Sequence, residues 1–125
     1  MPIDPELAVA TEWFLREDGL RATAGVVSAG TRFDAVCAFN DLLAVGCVRA
    51  LHEAGLKVPD DVAVVGFDDL AEVRYSVPTI SSVAPDRAWL AEQAVRLLLE
   101  RLSGDAGSAP RSVAAPVTLH VRESS

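Results

Sequence analysis

The stretch that decides the fold is residues 33–69, FDAVCAFNDLLAVGCVRALHEAGLKVPDDVAVVGFDD. It begins and ends with nearly continuous apolar runs, over 33–39 and 62–67, which are typical of strands covered on both faces. Between them, residues 42–54 place apolar side chains at helical spacing, and Gly55 suits the position just after a helix. A strand, a helix and a second strand in this order predict a right-handed βαβ unit.

The rest of the chain adds elements of the same two kinds. We predict strands over 7–14, 79–83 and 113–121, helices over 17–28, 70–75 and 85–102 (the last opening at Pro85), and a loop over 103–110. Strands that alternate with helices favour an α/β fold with three αβα layers and a mostly parallel sheet. We interpret residues 1–125 as a single domain, since this length is sufficient for one hydrophobic core.

The composition narrows the class of protein. The chain has 125 residues, with 18 acidic side chains, 11 lysines and arginines, and a net charge of −7. Because nucleic-acid binding depends largely on neutralising phosphates, we expect none by this chain alone. The sequence contains neither an apolar run of membrane-spanning length nor the features of a signal peptide, so we expect a cytoplasmic protein without membrane attachment. Cys37 and Cys47 lack metal-ligand spacing, and we interpret them as two buried thiols.

Polar side chains follow both strands of the βαβ unit. Asn40 comes after the first strand and Asp68 after the second. In open α/β sheets, ligands bind beyond the carboxyl ends of the strands. An amide and a carboxylate suit a polyhydroxylated ligand such as a sugar, because together they donate to and accept from hydroxyl groups. Trp13 and Phe14 end the predicted first strand and would offer aromatic faces at the same edge.

Helix capping is the alternative explanation for these polar residues. Asp41 and Asp69 directly precede predicted helices, so a capping role is the stronger hypothesis for this pair. For Asn40 and Asp68, one residue earlier in each case, ligand binding is the stronger hypothesis.

Catalytic and cofactor-binding motifs are absent from the sequence. The chain has no phosphate-binding glycine loop and no nucleophile elbow, and we interpret His52 as a surface residue. We therefore expect no enzymatic activity and no cofactor. A phosphoacceptor domain would need a lysine at the carboxyl edge of the sheet, whereas Lys57 precedes its strand and belongs to the opposite edge.

Residues 33–83 closely resemble the effector-binding region of LacI/GalR-type transcriptional regulators. The resemblance is carried by the stretch quoted above and by Pro78-Thr79 followed by ISSV. Three further segments resemble the same family: ELAVATEWFLREDGLRA near the start, VAPDRAWLAEQAVRLLLERL for the long helix, and VTLHVRESS at the end. The resemblance implies one lobe of a periplasmic-binding-protein-like fold that senses a small-molecule effector, most commonly a sugar.

The resemblance also implies roles for individual residues. Asn40 and Asp68 match positions that hydrogen-bond the effector, and Phe14 matches an aromatic residue that stacks on its ring. Trp13 would take the stacking role if the register shifted by one residue. Two further positions match the dimerisation face of the family and predict a homodimer: Val45 and Tyr75. Asp41 and Asp69 match capping or supporting positions.

The chain departs from the family in what it lacks. The DNA-binding headpiece, the hinge, the N-terminal subdomain and the first strand and helix of the C-terminal subdomain have no counterpart. We therefore interpret residues 1–125 as a partial effector-binding domain that senses an effector and dimerises. The alternatives are a fragment of a periplasmic sugar-binding protein and, from another class, a flavodoxin-like phosphoacceptor or enzyme.

Overall fold

A computed structural model describes residues 5–103 and 111–125. Its α-helices are α1 (Arg16–Ser28), α2 (Asp41–Glu53) and α3 (Arg87–Leu102), and its strands are β1 (Ala35–Cys37), β2 (Ala63–Phe67), β3 (Ser81–Pro85) and β4 (Val117–His120). Two short 3-10 helices cover Pro5–Leu7 and Ala71–Arg74. The predicted loop over 103–110 falls, after Ser103, outside the described residues.

The strands form one sheet in the order β1-β2-β3-β4. β1 runs parallel to β2, with Cys37 opposite Val65, and β2 runs parallel to β3, with Phe67 opposite Val83. The helix α2 connects β1 to β2, as the apolar runs on either side of it predict. The α/β class and the mostly parallel sheet are thus confirmed.

The hydrophobic core lies between α2 and the strands. Its fully buried members include Ala44 and Leu51 from α2, Val64 from β2, and Val73 and Ile80 from the segment that leads into β3. These side chains recur at helical spacing in α2 and follow the apolar run in β2, which is why the sequence pattern predicts both elements. Gly55, at φ +76, ends the helical segment.

Two glycines allow α1 to pack directly on α2. A Cβ atom at Gly46 would overlap the backbone carbonyl of Arg16 and come within 2.7 Å of the Leu20 nitrogen. A Cβ atom at Gly19 would overlap the carbonyl oxygen of Leu43. The two helix backbones therefore touch where neither helix carries a side chain, and this contact holds α1 beside the β1–α2 connection.

Two features of the predicted strands were wrong. Residues 7–14 contain no strand: a 3-10 turn ends at Leu7 and irregular backbone follows up to α1. The predicted strand over 33–39 is reduced to Ala35–Cys37, and Cys37 is exposed, whereas Cys47 is buried as expected. The two differences have a related cause, because β1 is an edge strand that pairs with β2 on one side only, and no described residue, including those of the 7–14 segment, pairs with its outer side.

The described chain divides into two compact units, residues 5–83 with 119–125, and residues 84–103 with 111–118. In the second unit α3 begins at Arg87, after Asp86, whose carboxylate accepts a hydrogen bond from the Trp89 amide at 2.9 Å. Pro85 belongs to β3 and does not open the helix as predicted. No residue of α3 is buried.

The last residues of the first unit are joined tightly to β2 and β3. Ser124 is fully buried; its hydroxyl accepts from the Ser81 amide at 2.8 Å and donates to the Val64 carbonyl. Its own carbonyl accepts from the Val64 amide at 2.8 Å. Ser124 therefore links β2 to the first residue of β3.

Replacing Gly46 with alanine tests the contact between α1 and α2. We expect Gly46→Ala to lower the free energy of unfolding by about 1–3 kcal/mol, because backbone atoms of α1 must move to admit the methyl group. Gly25→Ala is the matched control within α1, since a Cβ atom there meets nothing within 4 Å. It should be neutral or stabilising by up to about 1 kcal/mol. Equal urea midpoints for the two variants would contradict the close packing.

Candidate functional site

Asn40 and Asp68 occupy equivalent places at the ends of neighbouring parallel strands. Cys37 lies opposite Val65, and Asn40 and Asp68 each follow three residues later in the chain. Since the carboxyl ends of parallel strands share one edge of a sheet, both residues lie at the carboxyl edge. We call this region, defined by Asn40, Asp41 and the segment Asp68–Leu70, the carboxyl edge.

Asn40 caps α2 and also joins it to the segment before α1. Its Oδ1 accepts a hydrogen bond from the Leu43 amide at 2.8 Å, and its Nδ2 donates to the Phe14 carbonyl at 3.1 Å. A carboxamide has two N–H donors and two lone pairs on its oxygen, so these bonds use one of each. The capping explanation is therefore correct for Asn40, and contacts within the described residues leave one N–H donor and one lone pair of its carboxamide unused.

Asp41 does not cap the helix, although capping is the stronger hypothesis for it from the sequence. It is the first residue of α2 and fully buried. Its Oδ2 accepts a hydrogen bond from the Leu70 amide at 2.6 Å, and its Oδ1 accepts one from the Ser82 hydroxyl at 2.6 Å. A single carboxylate thus joins the start of α2 to the segment after β2 and to β3.

The electrostatic surroundings of Asp41 reflect this burial. Burial raises its pKa above the usual value for aspartate, and the hydrogen bonds from Ser82 and Leu70 offset only part of that rise. The negative charges of Asp68 and Asp69 raise it further. Gly66 makes the close approach possible, because a Cβ atom there would overlap Oδ1 of Asp41.

Asp68 and Asp69 form a turn with unusual backbone geometry. Their φ angles are 101° and 49°, positive values that are uncommon for residues with a side chain, although aspartate adopts them more often than most. The Asp68 amide donates to the Val83 carbonyl at 2.9 Å, and the Asp69 amide donates to the Ser82 hydroxyl at 3.0 Å. The turn is therefore attached to β3 at two successive amides.

Asp69 also has a different role from the predicted cap. Leu70 occupies the N-cap position of the following 3-10 helix, and the Asp69 carboxylate instead pairs with Arg122 and Arg74, each at 2.5 Å. Burial would raise the pKa of Asp69, but the hydrogen bonds and positive charges of the two arginines outweigh it and lower the pKa. The carboxylate of Asp69 consequently joins the turn to Arg122 and Arg74.

Exposed aromatic side chains lie beside Asn40. The rings of Phe14 and Phe39 have centroids 6.2 Å apart and are tilted by 40°, and Phe39 is 83% exposed. Trp13 is exposed as well. The hydrogen bond from Asn40 places the Phe14 backbone beside the carboxyl edge, although no strand leads to it, and the role of either aromatic ring stays a prediction.

Three residues that contact this region are not among the site residues predicted from the sequence: Phe39, Ser82 and Arg122. Phe39 directly precedes Asn40, and its position at the end of the apolar run was the available signal. For Ser82 and Arg122 the sequence offers none, because each acts on a carboxylate 41 or 53 residues away.

The two residues predicted for a dimer face differ in exposure. Tyr75 is 85% exposed, whereas Val45 is partly buried and packs against the core.

Within the described segments there is no group of three potential metal ligands. No helix in the described part of the chain is both long and apolar enough to span a bilayer. The arrangement offers hydrogen-bonding groups and aromatic faces, which is the chemistry of recognition of a polar organic molecule.

A comparison with protein families identifies the class of the fold. A periplasmic binding protein-like domain matches residues 5–125. Among curated proteins, the transcriptional regulator AscG of Escherichia coli is 34% identical over 107 residues, which cover 86% of this chain and 32% of AscG. The chain therefore spans about a third of the length of that relative.

Solved structures agree with this assignment. A LacI-family regulator from Sanguibacter keddieii is 45% identical with a TM-score of 0.84, over 98% of this chain and 45% of that one. The regulator CelR, in a complex with cellobiose, is 32% identical with a TM-score of 0.86, over 100% of this chain and 38% of that one. The chain belongs to the periplasmic binding protein-like domain family, and within it to the effector-binding domain of LacI-type regulators.

Removing the Ser82 hydroxyl tests the link through Asp41. We expect Ser82→Ala to lower the free energy of unfolding by about 1–3 kcal/mol, because a buried carboxylate oxygen loses its donor. Ser28→Ala is the matched control, since its exposed hydroxyl only donates to the Gly25 carbonyl at 2.9 Å. The control should stay within about 0.5 kcal/mol of the parent chain. Equal losses in urea unfolding for both variants would show that Asp41 does not depend on Ser82.

Proposed function

We propose that this chain is an effector-sensing part of a LacI-type transcriptional regulator and that its carboxyl edge binds a small polyhydroxylated metabolite. The observation that carries the proposal is the matched position of Asn40 and Asp68 at the ends of adjacent parallel strands. Similarity to a regulator solved with cellobiose supports a sugar as the class of ligand.

Each residue of the proposed site has a chemical task. Asn40 donates to a sugar oxygen through its second N–H and accepts from a hydroxyl through its second lone pair. Asp68 accepts from two neighbouring hydroxyl groups, the arrangement that favours a carboxylate over a neutral acceptor. The exposed rings of Phe14 or Trp13 cover the apolar C–H face of the sugar.

Residues 1–125 act in this proposal as one lobe of a ligand cleft in a cytoplasmic, non-enzymatic regulator. Ligand closes two lobes on each other, and closure shifts the equilibrium between states that differ in DNA affinity. This chain makes no direct operator contact, because its net charge of −7 opposes phosphate binding.

We further propose that the regulator is a homodimer, with Tyr75 and Val45 at the contact. The support is the 85% exposure of the Tyr75 ring, which is large for an aromatic side chain, and the similarity to a lac repressor dimer solved on its operator. Sedimentation equilibrium of the full chain decides this: a dimer mass supports the proposal and a monomer mass at high micromolar concentration rejects it.

Ligand binding is tested by calorimetric titration with a panel of sugars that begins with cellobiose. We expect Asp68→Asn to weaken the binding of the best sugar at least about tenfold, since a hydrogen bond to a charged group is worth about 1.5–3 kcal/mol. Asn40→Asp should have a similar effect, because it keeps a capping oxygen for the Leu43 amide while losing the N–H donors.

Asp60→Asn is the control for charge, since Asp60 is exposed and precedes β2 at the opposite edge of the sheet. Replacing Trp89 with phenylalanine leaves Trp13 as the one tryptophan, so its fluorescence reports binding near the edge. Unchanged affinity in both Asp68→Asn and Asn40→Asp would remove these residues from the site.

A further inference from the structure

The turn that presents Asp68 has to be held in place. Asp68 and Asp69 are successive side-chain-bearing residues with φ of 101° and 49°. Aspartate visits the left-handed region more readily than most residues, but as a single residue, so local preference does not explain two successive positive φ angles. Such a turn persists only where neighbouring groups over-determine it.

One of these neighbouring groups is Arg122, which follows β4 in the chain. Arg122 pairs with Oδ1 of Asp69, and its Nη1 donates to the Ile80 carbonyl at 2.7 Å. Its backbone amide donates to the Ser81 hydroxyl at 2.7 Å. The Arg122 side chain is only 16% exposed. Its backbone is thus fixed to β3 and its guanidinium to Ile80, the residue just before β3.

Arg74 pairs with the other oxygen of Asp69 but is held far less firmly. Its side chain is 57% exposed, and it lies on the 3-10 helix that follows the turn. Solvent screening weakens an exposed ion pair much more than a partly buried one. The two arginines therefore offer a matched comparison on one carboxylate.

We propose that Arg122 is a positioning residue for the ligand site: by holding Asp69 against β3 it fixes the backbone turn that presents Asp68. The effect on ligand binding rests on the function proposed above, whereas the effect on the turn does not. Arg122, 53 residues after Asp69 in the sequence, thereby helps to hold the ligand site in place.

The first test measures amide hydrogen exchange in the full chain without ligand. We expect Arg122→Met to speed exchange at the Asp69 and Leu70 amides at least about tenfold, while the core amide of Leu51 changes less than about threefold. Arg74→Met should change all three less than about threefold. The Asp69→Asn variant should abolish any additional effect of Arg122→Met, because the ion pair is then already lost.

Three results would overturn the proposal: no change at the Asp69 and Leu70 amides in Arg122→Met, an equal change in Arg74→Met, or an equal change at Leu51, which would mean a general loss of stability.

The second test is calorimetric titration with cellobiose, or with a better-binding sugar of the panel. Arg122→Met should weaken binding at least about tenfold, Arg122→Lys less, and Arg74→Met less than about threefold. If the parent chain binds no sugar, the proposed function fails and the exchange experiment still decides the role of Arg122.

Discussion

The buried carboxylate of Asp41 is the constraint on which the carboxyl edge depends. An ionised group in the interior is tolerated only when its oxygens are satisfied, and here one oxygen takes the Leu70 amide and the other the Ser82 hydroxyl. These partners belong to the segment after β2 and to β3, while Asp41 itself begins α2. A side chain that costs free energy to bury thereby determines how three segments meet.

The candidate site is assembled around that carboxylate. Asn40 precedes it and caps α2, and the turn of Asp68 and Asp69 is held from one side by Ser82 and from the other by Arg122. Asp68 is therefore carried on a turn in which the amides of residues 68, 69 and 70 already have hydrogen-bond acceptors. Such prior organisation lowers the entropy lost on binding, which is how a modest number of polar contacts achieves useful affinity.

Local patterns were sufficient to predict most of the elements, and contacts distant in sequence were not predictable. The apolar runs on both sides of α2 marked β1 and β2 because burial imposes the pattern directly. The segment over 7–14 is also mostly apolar yet forms no strand, since a strand also needs a neighbour to pair its amides. Capping was assigned to Asp41 in preference to Asn40, because helix starts cannot be located to one residue from sequence. The role of Asp41 depends on its hydrogen bond from Ser82, which lies 41 residues away and has no signal in the sequence.

A double-mutant cycle between Asp41 and Ser82 measures the central interaction most directly. The free energies of unfolding of Asp41→Ala, Ser82→Ala and the double variant give the coupling between the two side chains. We predict a coupling of about 1–3 kcal/mol, because either single substitution leaves a buried group without its partner and the double substitution removes both. Additivity to within about 0.3 kcal/mol would contradict the account, since it would mean that Asp41 and Ser82 do not stabilise each other.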